Sequence, residues 1–134
     1  MTKYVFSAIF TQEDEGYSIT FPDLKSCYTQ GDSLQDAYDM AQDILCLTLY
    51  HMEEDKTVIP KPSDPKTITV GSNSFVSLIS CDTLEYRKFN DSKAVKKTLS
   101  IPSWLNKMAE SNGINFSATL QGALKQQLHI EDRM

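Results

Sequence analysis

The stretch that decides the fold is Lys96-Lys97-Thr98-Leu99-Ser100-Ile101-Pro102, with the run from Ser103 to Leu128 behind it. Alternation of period two places Lys96, Thr98 and Ser100 on one face of an extended strand, with Leu99 and Ile101 on the other. Pro102 ends the strand and suits the first turn of a helix, where its missing N–H needs no partner. Leu105, Met108 and Ala109 then recur at helical spacing up to Asn112-Gly113, a helix-ending pair. Asn115-Phe116-Ser117 supplies cap chemistry for a second helix, with Phe116, Leu120, Ala123, Leu124 and Leu128 down one side.

One strand and two short helices cannot bury their own apolar face in isolation. The lone strand also leaves its N–H and C=O groups unpaired. A second copy solves both problems. The strands pair antiparallel about a two-fold axis, and four helices enclose a core of Leu99, Ile101, Leu105, Met108, Leu120 and Leu124. In this pattern residues 95–134 resemble the ribbon-helix-helix family of DNA-binding proteins, whose paired strands enter the major groove. The resemblance implies a homodimer in which Lys96, Thr98 and Ser100 face base edges. It also implies that the backbone N–H groups near Asn115, Phe116 and Ser117 hold a phosphate, and that pairs of dimers bind palindromic operator DNA. Read without it, Lys96–Ile101 could equally be an edge strand of a larger sheet, and the helices a packed hairpin with no ligand.

The chain of 134 residues allows one domain or two small ones. A hydrophobic fraction of 40% and 10% aromatics separate it from disordered chains. The net charge of −5 argues against a nucleic-acid partner, but its distribution does not. Residues 1–91 carry 15 acidic and 7 basic side chains, net −8; residues 92–134 carry 3 and 6, net +3. An acidic domain joined to a basic one is the implied layout, and a partner meets the local field. Cys27, Cys46 and Cys81 are odd in number and form no C-x-x-C pair, which fits free thiols in a reducing cytoplasm. The start of the chain is too short and too alternating an apolar run for a signal peptide, and no run approaches membrane length.

Tyr4 to Thr11, rich in β-branched and aromatic residues, predicts a strand. Gln12–Gly16 is a polar turn, and Tyr17–Phe21 a second, cleanly alternating strand of the same hairpin. Cys27-Tyr28-Thr29 allows a short third strand. Ser33 with Asp36, or Asp32 with Gln35, offers the cap of a long helix running to about Glu54. Its apolar stripe is Leu34, Ala37, Tyr38, Ala41, Leu45 and Met52, widened by Ile44 and Leu49, with Asp36, Asp39 and Asp43 opposite. Pro60, Pro62 and Pro65 stiffen the connection that follows. Thr67–Val70 and Phe75–Ser80 predict one long strand or a hairpin about Gly71–Ser74. Residues 83–94, polar and weakly periodic, are expected as a linker, with room for a short helix in Thr83–Phe89. One helix across one face of a small antiparallel sheet is then the economical packing for residues 1–82, an α+β domain.

The run Tyr17-Ser18-Ile19-Thr20-Phe21-Pro22-Asp23-Leu24, continued by Cys27-Tyr28-Thr29-Gln30-Gly31-Asp32-Ser33, resembles the HicB antitoxin family. Its mark is a strand ending in Phe-Pro-Asp-Leu, then Cys-x-Thr-x-Gly-Asp and a capped helix. Lys25-Ser26 departs from the Pro-Gly usual there, which affects the shape of that turn. The resemblance implies an incomplete ribonuclease H-like domain ahead of a DNA-binding domain. It further implies a partner, a small basic ribonuclease toxin of the HicA family, and repression of the operon's own promoter. Which residues meet the toxin does not carry over.

No nucleophile motif, Gly-rich phosphate loop or zinc spacing is present, so neither enzyme activity nor a cofactor is expected. His51 and His129 stand near helix ends and read as solvated. Asp23 ends a strand where a nuclease acid could sit, but the first strand has no acid, and a metal site needs convergent ligands. Two other readings remain open: a stand-alone repressor whose first domain senses a small ligand, and a metal-dependent nuclease.

Overall fold

Phe6, Ala8 and Phe10 alternate along the first strand, and all three are buried, so one face of that strand is core. Ile19 from the next strand, Phe21 just after it, and Ile79 and Cys81 from the last strand join them in the core. The computed structural model, which describes residues 2–130, builds a mixed α+β unit around this face. Strands β1 (Lys3–Glu13), β2 (Gly16–Thr20), β3 (Tyr28–Gly31) and β4 (Ser74–Asp82) form one antiparallel sheet in the order β3-β2-β1-β4. Helix α1 (Leu34–Glu54) lies across it. The chain divides into two units, residues 1–93 and 94–134.

Helix α1 begins as its cap predicts. The Ser33 hydroxyl accepts the Asp36 N–H at 3.1 Å, and the Asp36 carboxylate accepts the Asp32 N–H at 2.9 Å. Ala37, Ala41, Leu45 and Leu49 are its buried residues, a row at four-residue spacing. Leu34 and Tyr38, expected in the stripe, are exposed instead. Their place is taken by backbone: strand β3 approaches so closely at Gly31 that a Cβ there would lie 2.5 Å from the Ala37 Cα.

One further expectation changes, and one open choice is decided. Residues 67–70 form no strand: Pro65–Thr67 is a 3-10 turn capped by Asp64, and β4 starts only at Ser74. Strand β1 already pairs with β2 and β4 on its two edges, so it has no free edge to offer residues 67–70. The segment expected as a linker, 83–94, is helical over Thr83–Asn90 (α2). The Asp82 carboxylate caps it by accepting the Leu84 N–H at 3.0 Å, and Arg87 ties it to α1 through Glu53 and Glu54.

In the second unit, Pro102 opens helix α3 (Ser103–Ser111), its carbonyl accepting the Asn106 N–H. The turn at its end follows the glycine signal. Gly113, at φ +67°, donates its N–H to the Glu110 carbonyl, and Ile114 donates to Ala109. Helix α4 (Phe116–Gln127) starts at Asn115, whose side-chain oxygen accepts the Ala118 N–H at 3.0 Å.

Candidate functional site

Two surfaces merit description, one in each unit. The second unit is distinguished by what it does not bury. Among residues 94–130 no side chain is buried, although the unit carries Val95, Leu99, Ile101, Trp104, Leu105, Met108, Phe116 and Leu124. Leu99 is 60% exposed and Met108 58%, values foreign to the core of a self-sufficient domain.

These residues line grooves. Leu99, Ile101, Leu105, Ile114, Phe116 and Leu120 face an open groove of about 640 Å³. A second, of about 710 Å³, runs between Val95, Lys96, Leu99, Leu120 and Leu124. Residues 96–101, expected as a strand, form none in the single chain, which offers them no neighbouring strand to pair with. The apolar residues Val95, Leu99 and Ile101 nonetheless line these grooves. Thr98 and Ser100 line neither groove, whereas Lys96, expected on the same face as them, lines the second together with Lys97. Five of the six expected dimer-core residues meet these grooves; Met108 does not. Sequence reasoning passed over Val95 and Ile114, and placed Ala109 on the apolar face of its helix without counting it in the dimer core. Phe116, read both as part of the apolar stripe and for its backbone N–H, lines the apolar groove with its side chain. Continuing the helical stripe one residue past Gly113 would have found Ile114. Of the first-turn N–H groups of α4, Ala118 is held by Asn115, which leaves those of Phe116 and Ser117 at the open helix end.

In the first unit an acidic groove of about 580 Å³ lies among α1, β4 and α2. Asp39 and Asp43 line it from α1, Asp82 and Glu85 from the other side, with Tyr86 and Phe89 beside them. Next to it Glu53 gathers three partners. Its carboxylate accepts the Tyr4 hydroxyl at 2.8 Å, the Thr83 hydroxyl at 2.9 Å and an Arg87 N–H at 3.2 Å. Burial, with the hydrogen bond to Glu53, pushes the Tyr4 phenol up to about 12. Arg87 also pairs with Glu54 and lies 4.7 Å from the centre of the Tyr50 ring. Sequence reading missed this cluster, since its members lie far apart in the chain.

Asp23 and Asp36 are held by separate contacts. Asp23 accepts the Ser63 N–H at 2.9 Å and the Ser63 hydroxyl, clasping the proline-rich connection. Asp36 is engaged at the cap of α1. Among the described residues no group of three or more His, Cys, Asp or Glu is arranged to hold a metal ion. His51 is exposed at the last turn of α1, and His129 follows α4 at φ +57°. No helix among the described residues is long and apolar enough to cross a membrane.

A family model described as HicB_like antitoxin of bacterial toxin-antitoxin system matches residues 3–71, just over half of the 134 residues. Antitoxin HicB 2 of Photorhabdus laumondii subsp. laumondii is 37% identical over 54 residues, which are 40% of this chain and 39% of that protein. Antitoxin HicB 1 of the same organism is 40% identical over 50 residues, 37% of this chain and 32% of that protein. The chain therefore spans less than two-fifths of the length of these curated relatives. Among solved structures, a chain of a toxin–antitoxin complex from Streptococcus pneumoniae matches with a TM-score of 0.61 at 29% identity. That match covers 93% of this chain and 99% of the other. The Burkholderia pseudomallei antitoxin HicB shares the fold at 20% identity, TM-score 0.51, over 96% of this chain and 99% of that one.

Proposed function

Because the chain belongs to the HicB-like antitoxin family, we propose that its first unit restrains a small basic ribonuclease toxin of the HicA kind while its second binds operator DNA. In this reading two copies of residues 95–134 pair their strands as a ribbon-helix-helix dimer and repress the operon that encodes them. Leu99, Ile101, Leu105, Met108, Leu120 and Leu124 close the dimer core. Lys96, Thr98 and Ser100 read base edges, and the N–H groups about Asn115, Phe116 and Ser117 hold a phosphate.

The observation that carries the reading is the lack of any buried residue among residues 94–130, set beside the apolar grooves there. A twin copy is the occupant that fills those grooves and also offers pairing partners to the backbone of residues 95–101, which forms no strand in the single chain. For the toxin, the support is electrostatic. The net charge of −8 over residues 1–91 attracts a basic protein and raises its encounter rate. The solved relative from Streptococcus pneumoniae is itself a toxin–antitoxin complex. The groove of the first unit is open and lined by carboxylates, which suits a protein surface better than the small apolar ligand a stand-alone sensor-repressor would need.

The test separates the two activities. Lys96→Ala, Thr98→Ala and Ser100→Ala combined should weaken operator binding by roughly tenfold or more, at ~1–3 kcal/mol per good base contact. Protection of mRNA from a co-expressed toxin should stay intact. Equal loss of both activities with dimerisation unchanged would refute the division of labour, and a toxin that cleaves freely in the presence of the unaltered protein would refute the first half.

A further inference from the structure

The lining of the acidic groove includes two thiols whose chemistry the toxin reading does not use. Cys46 comes from α1 and Cys81 from β4, and both line the groove. The helix is fixed against the strand beside them: Gln42, one turn before Cys46, donates its side-chain N–H to the Ser80 carbonyl at 3.1 Å. Cys81 is 4% exposed, while Cys46 is half-buried and packs against the buried cluster that includes Cys81. The neighbouring Cys81 side chain holds the Cys46 thiol below its ordinary range, while the same neighbour and burial hold Cys81 above it. Cys27 differs, being buried and occupied by the Thr48 hydroxyl at 3.4 Å.

We propose that Cys46 and Cys81 form a peroxide-oxidisable dithiol whose internal disulfide pins α1 to β4 beneath the acidic groove. Cys46, the accessible member, attacks hydrogen peroxide as the thiolate. A sulfur–oxygen bond forms as the oxygen–oxygen bond breaks, and the departing hydroxide leaves as water, giving a sulfenic acid on Cys46. Cys81 then attacks the Cys46 sulfur. The disulfide forms as the sulfur–oxygen bond breaks, and the second oxygen leaves as water with the Cys81 proton. Two thiols lose two electrons and two protons, and one peroxide becomes two waters. Because Cys81 is the buried and less acidic thiol, the second step is the slower.

The experiment exposes the full-length reduced protein to hydrogen peroxide, then alkylates it and maps its peptides without reduction. The expected product is a monomeric chain lighter by two hydrogens, with the peptides holding Cys46 and Cys81 joined. Cys27→Ser should leave that product unchanged, and Cys46→Ser or Cys81→Ser should abolish it. Sulfinic acid on Cys46 with no joined peptides, a bridge that includes Cys27, or bridges only between chains would each overturn the proposal. The unaltered protein alone decides the matter, so a variant that folds poorly does not spare it.

Discussion

Three helices end on a residue in the left-handed region, and only one of these is glycine. Lys56 follows α1 at φ +56°, Gly113 follows α3 and His129 follows α4. Each turn is closed the same way: the Lys56 N–H meets the Glu53 carbonyl and Thr57 meets Met52; His129 meets Gln126 and Ile130 meets Lys125. A side chain in that region costs ~1–2 kcal/mol, of which glycine's extra unfolded freedom returns ~0.5–1. Lys56→Gly should therefore stabilise the first unit by ~0.5–1 kcal/mol in urea unfolding, and Gly113→Ala should destabilise the second by a similar amount. An added Cβ at Gly113 meets nothing within 4 Å, so its cost is that of the backbone alone. A Lys56→Gly protein less stable than its parent would contradict this. The same three positions show what sequence can announce. Asn112-Gly113 marks a helix end because glycine is chosen for its backbone, whereas Lys56 and His129 adopt that backbone because surrounding hydrogen bonds impose it.

At the scale of elements, α2 was the one that periodicity hid. Its anchors are a cap from Asp82, a fully buried threonine at position 83 and an arginine shared by Glu53 and Glu54, not a stripe of apolar residues. Polar contacts with residues of α1 cannot be read from spacing within the segment itself. Strand β1 and helix α1, by contrast, carry their period openly in Phe6, Ala8 and Phe10 and in Ala37, Ala41 and Leu45. The cluster that docks α2 has a pH signature. Tyr4 titrates at its ordinary 10.0 when unfolded and at about 12 when folded. The neutral phenol is the form the fold prefers, so this contribution is complete below pH 10 and is lost as pH rises from 10 to about 12. Comparing Tyr4→Phe with its parent by unfolding midpoints across that range should show the difference between them shrinking as pH rises. A difference that stays constant would mean the phenol does not stabilise through its proton.

For the whole molecule, the charge changes sign near residue 92, and the chain divides into two units, residues 1–93 and 94–134. The pairing of β4 with β1 was less legible, since strand order depends on which edge is left free once the hairpin has formed. The account's central statement concerns the second unit, whose apolar groove stands open in a single chain. Filling it with a twin copy links stability to association, so residues 94–134 should fold only as they pair. Leu99→Asp places a charge in that contact and should leave the first unit folded while its partner unit loses protection. The most direct measurement is sedimentation equilibrium of the intact protein, with amide exchange read over α3 and α4 at each concentration. A dimer is predicted, with protection in both helices that appears as the dimer forms and vanishes on dilution. A monomer whose α3 and α4 amides stay protected at every concentration would contradict the account.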